Sequence, residues 1–398
     1  MMAAIEAARA GEQVIVVERN PQVGKKLATT GNGRCNYTNL DMSDMVGGKY
    51  RGQDPLFCET ALKGFSPDQV IRWFTDIGVE PKYRGDYVYP NSDQASSVVW
   101  ALQDTMEHLR VKMMYDTLIT SVKRHKSGVF IAEAEGVSIS ADRVILTTGS
   151  RAVPKSGSTG DGYVWAKALG HSLVPVVPAL TAIRCIGRQY KDMAGVRTDV
   201  KLRVRIDGSD VATESGELQL VDYGISGIPA FQISRFVAYA LRKGKEASVY
   251  INFIPHIAGT KDEAYDFYKK RAEKLTYKDM KSFFNGLLNQ KLGNVILQLA
   301  HIDGKLSVGG LTDKQLKALS SLSVSYKAEC ESVNPFQNAQ CAAGGINTSE
   351  VDPETMESRL VKGLYFAGEI LDIDGICGGY NLQWAWSSGY AAGRAAAR

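Results

Sequence analysis

The stretch Leu364-Tyr-Phe-Ala-Gly-Glu-Ile-Leu-Asp-Ile-Asp-Gly-Ile-Cys-Gly-Gly-Tyr-Asn-Leu-Gln-Trp-Ala-Trp-Ser-Ser-Gly-Tyr-Ala-Ala-Gly393 decides how this chain reads. A short apolar strand, Leu364 to Ala367, runs into Gly368-Glu369. After a loop, Gly378-Gly379-Tyr380-Asn381 opens a helix of small residues. Glycines at a helix start leave backbone N–H groups free to meet a ligand. Without a β-carbon, they let a flat or anionic ligand approach the main chain. This pattern suits a flavin held at the C-terminal end of a nucleotide-binding fold.

The other end of the chain agrees. Met1 to Ala10 is alanine-rich and helical in period, Gly11 is a candidate C-cap, and Val14 to Val17 is a strand ending at Glu18. In a dinucleotide-binding βαβ unit, an acidic residue at the end of the second strand takes the ribose hydroxyls, about 20 residues after the glycine loop. Counting back from Glu18 places G-x-G-x-x-G ahead of Met1. The first strand and the glycine loop are therefore expected to be absent from this sequence, and the natural product to be longer. A central parallel strand buries several apolar side chains at ~1.5–3 kcal/mol each. That sum rivals a typical total stability of about 5–15 kcal/mol.

With 398 residues, two or three domains are expected. The net charge of +4 comes with no Lys/Arg block, so nucleic-acid binding is not expected. A mildly basic groove for an anionic cofactor or substrate is compatible with it. No apolar run approaches the ~18 residues of a membrane span, and the N-terminus lacks signal-peptide features. Cys35, Cys58, Cys185, Cys330, Cys341 and Cys377 form no C-x-x-C pair, which gives no support to a zinc site, and no metal is expected. Scattered thiols suit a reducing cytoplasm. Cys35 and Cys377 lie in glycine-rich segments placed near the flavin; they read as small buried residues rather than redox thiols.

Asn20 to Asn39 is too polar and glycine-rich for a core helix, and its Lys25, Lys26, Gly31, Gly33 and Arg34 suit a pyrophosphate. Pro67 to Ile77 and Ser96 to Leu109 read as helices, and Tyr83 to Pro90 as a turn between short strands. From Thr117 the period changes to two: Leu118 to Val122 is a strand, and Val129 to Ala134 with Val137 to Ala141 makes a hairpin across Glu135-Gly136. Val144 to Gly149 reads as a buried strand ending in glycine. Gly157 to Gly162 opens a helix over Tyr163 to Leu169, with spacing that fits neither G-x-G-x-x-G nor a P-loop.

Pro175 and Pro178 mark a boundary. Beyond it Val200 to Ile206 alternates, with strands near Val211, Glu217 to Val221 and Ala247 to Ile254, as an antiparallel β part. Lys201, Arg203 and Arg205 form a basic row, read as a solvated face. Thr260 to Glu263 is a capping box, with a second expected at Thr276 to Asp279. Met280, Phe283, Phe284, Leu287 and Leu288 form a helical stripe, and a strand returns near Leu322 to Glu329.

Gly31 to Asn36, Ala339 to Ser358 and Leu364 to Gly393 together resemble the bacterial FAD flavoproteins of the aminoacetone-oxidase-like or dehydro-bile-acid-reductase-like type. The resemblance extends over the whole chain. It implies an α/β fold: an FAD-binding Rossmann-like, two-dinucleotide-binding-type domain, residues 1–178 and 336–398, interrupted by an insert, 179–335. The insert would have a β-barrel part, 179–258 and 306–335, and a helical part, 259–305. Glu18 would hold the adenosine ribose. Lys26, Thr30, Gly31, Gly33 and Arg34 would lie along the pyrophosphate and flavin. Ile119 would present backbone to the adenine, and Gly149 would close the loop under the diphosphate. Gly368 and Glu369 would take the ribityl end, and Gly379, Tyr380, Asn381 and Leu382 the isoalloxazine edge. Arg19, Asn32, Asn36, Thr148, Asp161, Gly162 and Gly378 belong to the same cofactor set. Asp222-Tyr223-Gly224 departs from the family pattern, in which a histidine precedes the tyrosine-like position.

The implied activity is that of an FAD-dependent oxidoreductase, reducing an activated C=C bond of a hydrophobic enone with NAD(P)H as a transient donor. The alternatives are an amine oxidase passing electrons to oxygen, an RNA-modifying flavoprotein, and a flavin binder without catalysis. No acid or base is fixed by sequence; Tyr87, Tyr89, Asp222, Tyr223 and His256 are candidates. A small-molecule substrate, no membrane partner and a cytoplasmic location are expected.

Overall fold

A computed structural model describes residues 1–43 and 48–398. The chain divides into two compact units, residues 1–177 with 336–398 and residues 178–335. No helix among the described residues is long and apolar enough to cross a membrane.

The first stretch runs α1 (Met2–Arg9), β1 (Ile15–Val17), β2 (Thr38–Asn39), β3 (Tyr50–Arg51), α2 (Phe57–Gly64), α3 (Pro67–Asp76), β4 (Pro81–Arg84), β5 (Tyr87–Pro90), α4 (Ala95–His108), β6 (Lys112–Met114), β7 (Ile119–Arg124), β8 (Phe130–Ala134), β9 (Val137–Ala141), β10 (Val144–Leu146), α5 (Asp161–Ala168) and β11 (Leu173–Ala179). α1 ends where Gly11 turns left-handed at φ +96°. α3 starts at a capping box in which the Ser66 N–H meets Gln69 Oε1 at 2.8 Å, with Pro67 in the first turn. It buries Val70, Ile71, Trp73 and Phe74, the face set by its period. β1 and β6 run parallel, Ile15 opposite Lys112. β7, β8 and β9 form a meander. The polar segment after Glu18 contains short 3₁₀ turns over Leu27–Gly33, broken at Thr30, Gly31 and Asn32.

The second unit contains β12 (Ile183–Cys185), α6 (Gln189–Met193), β13 (Arg197–Ile206), β14 (Ser209–Val221), β15 (Gly224–Ser226), α7 (Ile228–Arg242), β16 (Ala247–Asn252), α8 (Lys261–Lys274), α9 (Met280–Phe283), α10 (Gln290–Leu299), α11 (Asp313–Val324) and β17 (Tyr326–Val333). Its strands close a barrel in the order β12-β15-β14-β13-β16-β17. Val200, Leu202 and Val204 point inward from β13, to a core shared with Leu218, Leu220, Val249, Ile251 and Ala328. α7 adds Ala230, Ile233 and Val237 to that core. The strands read separately near Val211 and over Glu217 to Val221 are one long strand, because β13 pairs along almost all of its length. Residues 322–324 end α11 instead of starting a strand, since the Thr312–Gln315 capping box carries a helix through to Val324. The expected box at Thr276 is a single cap: Asp279 Oδ1 accepts from the Ser282 N–H at 2.9 Å and starts α9. In the basic row, Arg203 and Arg205 both pair with Asp210 and lie over the Tyr250 ring.

The chain then returns to the first unit with β18 (Cys341–Ile346), β19 (Leu364–Phe366), β20 (Asp374–Gly375) and α12 (Tyr380–Ala395). β19 runs parallel to β10, Val144 opposite Leu364. β18 pairs with β11 and β20 with β3. α12 crosses α1 closely: a β-carbon at Gly393 would stand 2.4 Å from the Ala3 carbonyl oxygen. One expectation is corrected here. Val144 and Ile145 are half-buried, and Ile15 is 40% exposed. Among the described residues the β1–β6 and β10–β19 ladders each have two strands, so these side chains lack the cover that a wider sheet would give.

Candidate cofactor site

Within the first unit, segments far apart in sequence meet around the start of α12. Asn39 Nδ2 donates to the Gly378 carbonyl at 2.8 Å, and Trp386 Nε1 donates to the Tyr37 carbonyl at 2.9 Å. Thr38 hydrogen-bonds to Gln383, whose amide nitrogen also donates to the Phe65 carbonyl at 2.9 Å. Gly379, at φ +96°, packs so tightly that a β-carbon would stand 2.8 Å from the Thr38 oxygen and 3.0 Å from Asn36 Oδ1. The Asn381 side chain both accepts from and donates to the Gly375 backbone, at 2.9 and 2.8 Å. The Tyr380 hydroxyl donates to the Asp41 carbonyl at 2.9 Å, and its burial pushes the phenol above its ordinary value. Leu382 is half-buried against the core that holds Tyr37 and Phe74.

Beside this junction the Lys26 ammonium meets Glu369 Oε2 at 2.5 Å, while Glu369 Oε1 accepts from the Ala342 N–H at 2.9 Å. The Glu369 carboxylate thus joins the polar loop after β1 to the start of β18. Gly368, at φ +76°, passes its N–H to Ser388 Oγ at 2.9 Å.

A second group forms at the end of β1. Glu18 Oε1 accepts from the Asn20 N–H and Nδ2 at 2.9 and 2.7 Å. Arg19 Nη1 donates to Thr159 Oγ1 at 2.7 Å and to Asp161 Oδ2 at 2.8 Å. Two residues expected at the cofactor, Arg19 and Asp161, therefore neutralise each other. The Thr117 N–H donates to the Glu18 carbonyl at 3.0 Å, which brings the chain leading into Ile119 to this strand end. Ile119 itself pairs with Ala134 in the meander. A β-carbon at Gly149, φ +71°, would stand 2.7 Å from Ser158 Oγ; one at Gly162 would stand 2.1 Å from Thr148 Oγ1 and 2.8 Å from Ile370 Cδ1. Thr148, Gly149, Gly162 and the Gly368–Ile370 turn are thus close neighbours.

Three observations fit a bound dinucleotide. Asn36 Oδ1 and Thr148 Oγ1 are buried without a hydrogen-bond partner among the described residues. Such orphaned groups cost about 1–3 kcal/mol each unless something meets them. Gly31, Asn32 and Gly33 are exposed and left-handed, at φ +56°, +55° and +81°. Left-handed turns of this kind aim backbone N–H groups at anions. The Arg34 side chain is exposed and makes no ion pair with another described residue. Thr30 belongs to the same turn, its hydroxyl donating to the Leu27 carbonyl at 2.7 Å.

The structure separates the thiols and the acid/base candidates. Burial pushes the Cys35 thiol up to about 12, which keeps it protonated. Asp222, Tyr223 and His256 belong to the second unit. There Tyr223 lies under Arg184 and its hydroxyl accepts from Asn334 Nδ2 at 2.9 Å, while His256 is exposed beside Asp199 at 3.8 Å. Tyr87 and Tyr89 lie on β5, against the glycine turns. No group of three or more His, Cys, Asp or Glu among the described residues is arranged for a metal. Sequence reasoning missed Thr38, Asn39, Ala342 and Gln383. The Asn39–Gly378 contact joins residues 339 positions apart, so no local pattern marks it.

Comparison with known proteins follows the same lines. The chain is 41% identical, over 100% of its length and 96% of the relative's, to a 3-dehydro-bile acid delta(4,6)-reductase of Clostridium scindens. It is 28% identical, over 97% of its length and 92% of the relative's, to a ribosomal RNA dihydrouridine synthase of Escherichia coli. Among solved structures, a 3-ketosteroid delta1-dehydrogenase of Sterolibacterium denitrificans aligns over 100% of this chain and 97% of that one, at 13% identity and TM-score 0.49. Residues 1–395 match the HI0933-like protein Rossmann domain, and the chain belongs to that family.

Proposed function

We propose that this chain is an FAD-dependent oxidoreductase that saturates a C=C bond conjugated to a carbonyl in a hydrophobic small molecule, with NAD(P)H as a transient donor. The observation that carries the reading is 41% identity along the whole chain to a 3-dehydro-bile acid delta(4,6)-reductase. The orphaned Asn36 and Thr148 oxygens and the open glycine turn support it. In this reading residues 1–178 and 336–398 are the FAD domain and 179–335 the insert. FAD supplies hydride transfer at its ring, which no side chain can perform.

The chain's own residues bind and orient. Glu18 would hold the ribose, and Gly31, Gly33 and Arg34 with Lys26 and Thr30 would hold the diphosphate. Thr148, Gly149 and Gly162 close beneath it. The Gly378–Leu382 helix start would hold the flat ring at its positive dipole end, which would favour negative charge there. Action in the cytoplasm belongs to the same proposal and suits six cysteines that form no disulfide among the described residues.

The match to ribosomal RNA dihydrouridine synthases favours a second reading, in which the substrate is a uracil base in RNA. The chemistry is related, since the bond saturated in dihydrouridine is also conjugated to a carbonyl. The small net charge of +4 weighs toward the small molecule.

Anaerobic stopped-flow tests these readings. NADH or NADPH should bleach the bound flavin, and a steroid 4-en-3-one should restore its colour. Recovery with ribosomal RNA and none with the enone would establish the second reading. Bleaching by an amine alone would make the protein an oxidase. A protein that stays colourless with excess FAD is not a flavoenzyme.

A further inference from the structure

The β4–β5 hairpin presents two faces. Tyr87 and Tyr89 alternate to the same side of β5, together with their cross-strand partners Arg84 and Lys82. Val88 and its partner Tyr83 point to the other side. Lys82 and Arg84 both pair with Asp93, which offsets their charge. What the first face offers is therefore phenolic.

That face meets the glycine turns of the cofactor site. Tyr87 Cε1 lies 3.0 Å from where a β-carbon of Gly378 would stand, and Tyr89 Cε1 lies 3.8 Å from the corresponding point at Gly31. β5 is held there through β2, in which Asn39 pairs with Tyr87 and donates to the Gly378 carbonyl at 2.8 Å. The carbon that touches Gly378 is adjacent to the one bearing the hydroxyl, so the polar end of the Tyr87 ring sits at the start of α12.

Two other phenols near this point are engaged. The Tyr380 hydroxyl donates to the Asp41 carbonyl at 2.9 Å, and the Tyr50 hydroxyl to the Tyr380 carbonyl at 3.0 Å. The Tyr37 hydroxyl has no hydrogen-bond partner among the described residues, but its ring is fully buried and it has no contact with water from which to regain a proton. Tyr87 is 43% exposed and its hydroxyl makes no hydrogen bond with a described residue.

We infer that Tyr87 donates the proton to the α-carbon of the substrate when its conjugated C=C bond is reduced. The inference rests on the proposed reaction and names the group that completes it. The β-carbon receives a hydride whose two electrons come from NAD(P)H through FAD. The π pair of the C=C bond moves onto the α-carbon and carbonyl as an enolate. The α-carbon then takes the Tyr87 hydroxyl proton, and the phenolate regains a proton from water. A phenol holds its proton across the neutral range and still gives it to an enolate carbon. Tyr89, half-buried beneath Arg84, forms the adjoining wall.

The test uses the FAD-loaded full chain as wild type, Tyr87→Phe, and Tyr83→Phe as a control on the opposite face. The visible spectrum is recorded first, then flavin bleaching by NAD(P)H, then recovery with a steroid 4-en-3-one. Tyr87→Phe should bind FAD and bleach at the wild-type rate but recover at least about 100-fold more slowly, within the range expected for loss of a general acid. Tyr83→Phe should match wild type throughout. Affinity of the enone for the oxidised protein, followed by its perturbation of the flavin spectrum, should change less than about fivefold, a small fraction of the loss in rate. Recovery of Tyr87→Phe within about threefold of wild type, with normal flavin content, overturns the inference alone. A wild-type protein that holds FAD yet is not reoxidised by the enone overturns the proposed reaction and the inference with it.

Discussion

At the scale of single residues, the site is governed by where a β-carbon fits and where a hydroxyl has no partner. Gly379 combines φ +96° with a β-carbon position 2.8 Å from the Thr38 oxygen. Gly379→Ala should therefore cost a few kcal/mol, about 1–3 from the backbone conformation before the clash is counted. It should also lose flavin colour. Gly64 is the opposite case, a helical glycine with nothing within 4 Å of its β-carbon position. Gly64→Ala should raise the melting temperature, by up to about 1 kcal/mol in stability. Thr148 provides a third comparison. Its buried Oγ1 has no hydrogen-bond partner among the described residues, so Thr148→Val should leave the FAD-free protein as stable or more so. The same change should weaken FAD binding about tenfold, the equivalent of one ordinary hydrogen bond. Thermal melts without FAD and a flavin titration read the two effects separately.

At the scale of elements, what matters is how loops are tied to the strands they follow. His171, after α5, is buried against the Phe366 ring at 4.8 Å. Its ring nitrogens lie 3.0 Å from Glu350 Oε2 and 2.8 Å from Ser358 Oγ. This holds the 348–361 loop against the entry to β11. Burial lowers the His171 pKa from 6.5 and outweighs the neighbouring carboxylate, which acts to raise it. A lowered folded-state value means that the unfolded chain takes up the proton first. The stability contribution is thus present above about pH 6.5 and is lost as pH falls from there through the folded pKa. Melting temperatures should decline across that window, and His171→Gln should flatten the decline. Elements with strong local signals were legible in the sequence. The Thr260–Glu263 box, the apolar face of Pro67 to Ile77, the Glu135-Gly136 turn and the alternation of β13 each stand out from a few residues. Misreadings came where a partner decides. β14 continues through polar positions because β13 pairs with it, and α11 runs past Leu322 because its cap and packing favour helix over the β-branched neighbours.

At the scale of the whole molecule, FAD should act as a mass-action stabiliser. At a concentration about 100 times its Kd it should add ~2.7 kcal/mol to the stability of the state that binds it. Calorimetric scans with and without FAD check this, and the Gly379→Ala protein should show no such shift. Sequence alone determined the class of ligand, because glycines, a strand-ending glutamate and a small-residue helix act through local backbone geometry. The tertiary structure decided which groups remain for a ligand. Arg19 and Asp161, which the family resemblance places in the cofactor set, pair with each other at 2.8 Å. Asn36, Thr148 and Tyr87 keep a polar atom without a hydrogen-bond partner among the described residues. Such assignments depend on contacts across hundreds of positions, as between Asn39 and Gly378. A residue's type states which bonds it can make, and only the folded chain settles which of them are already made.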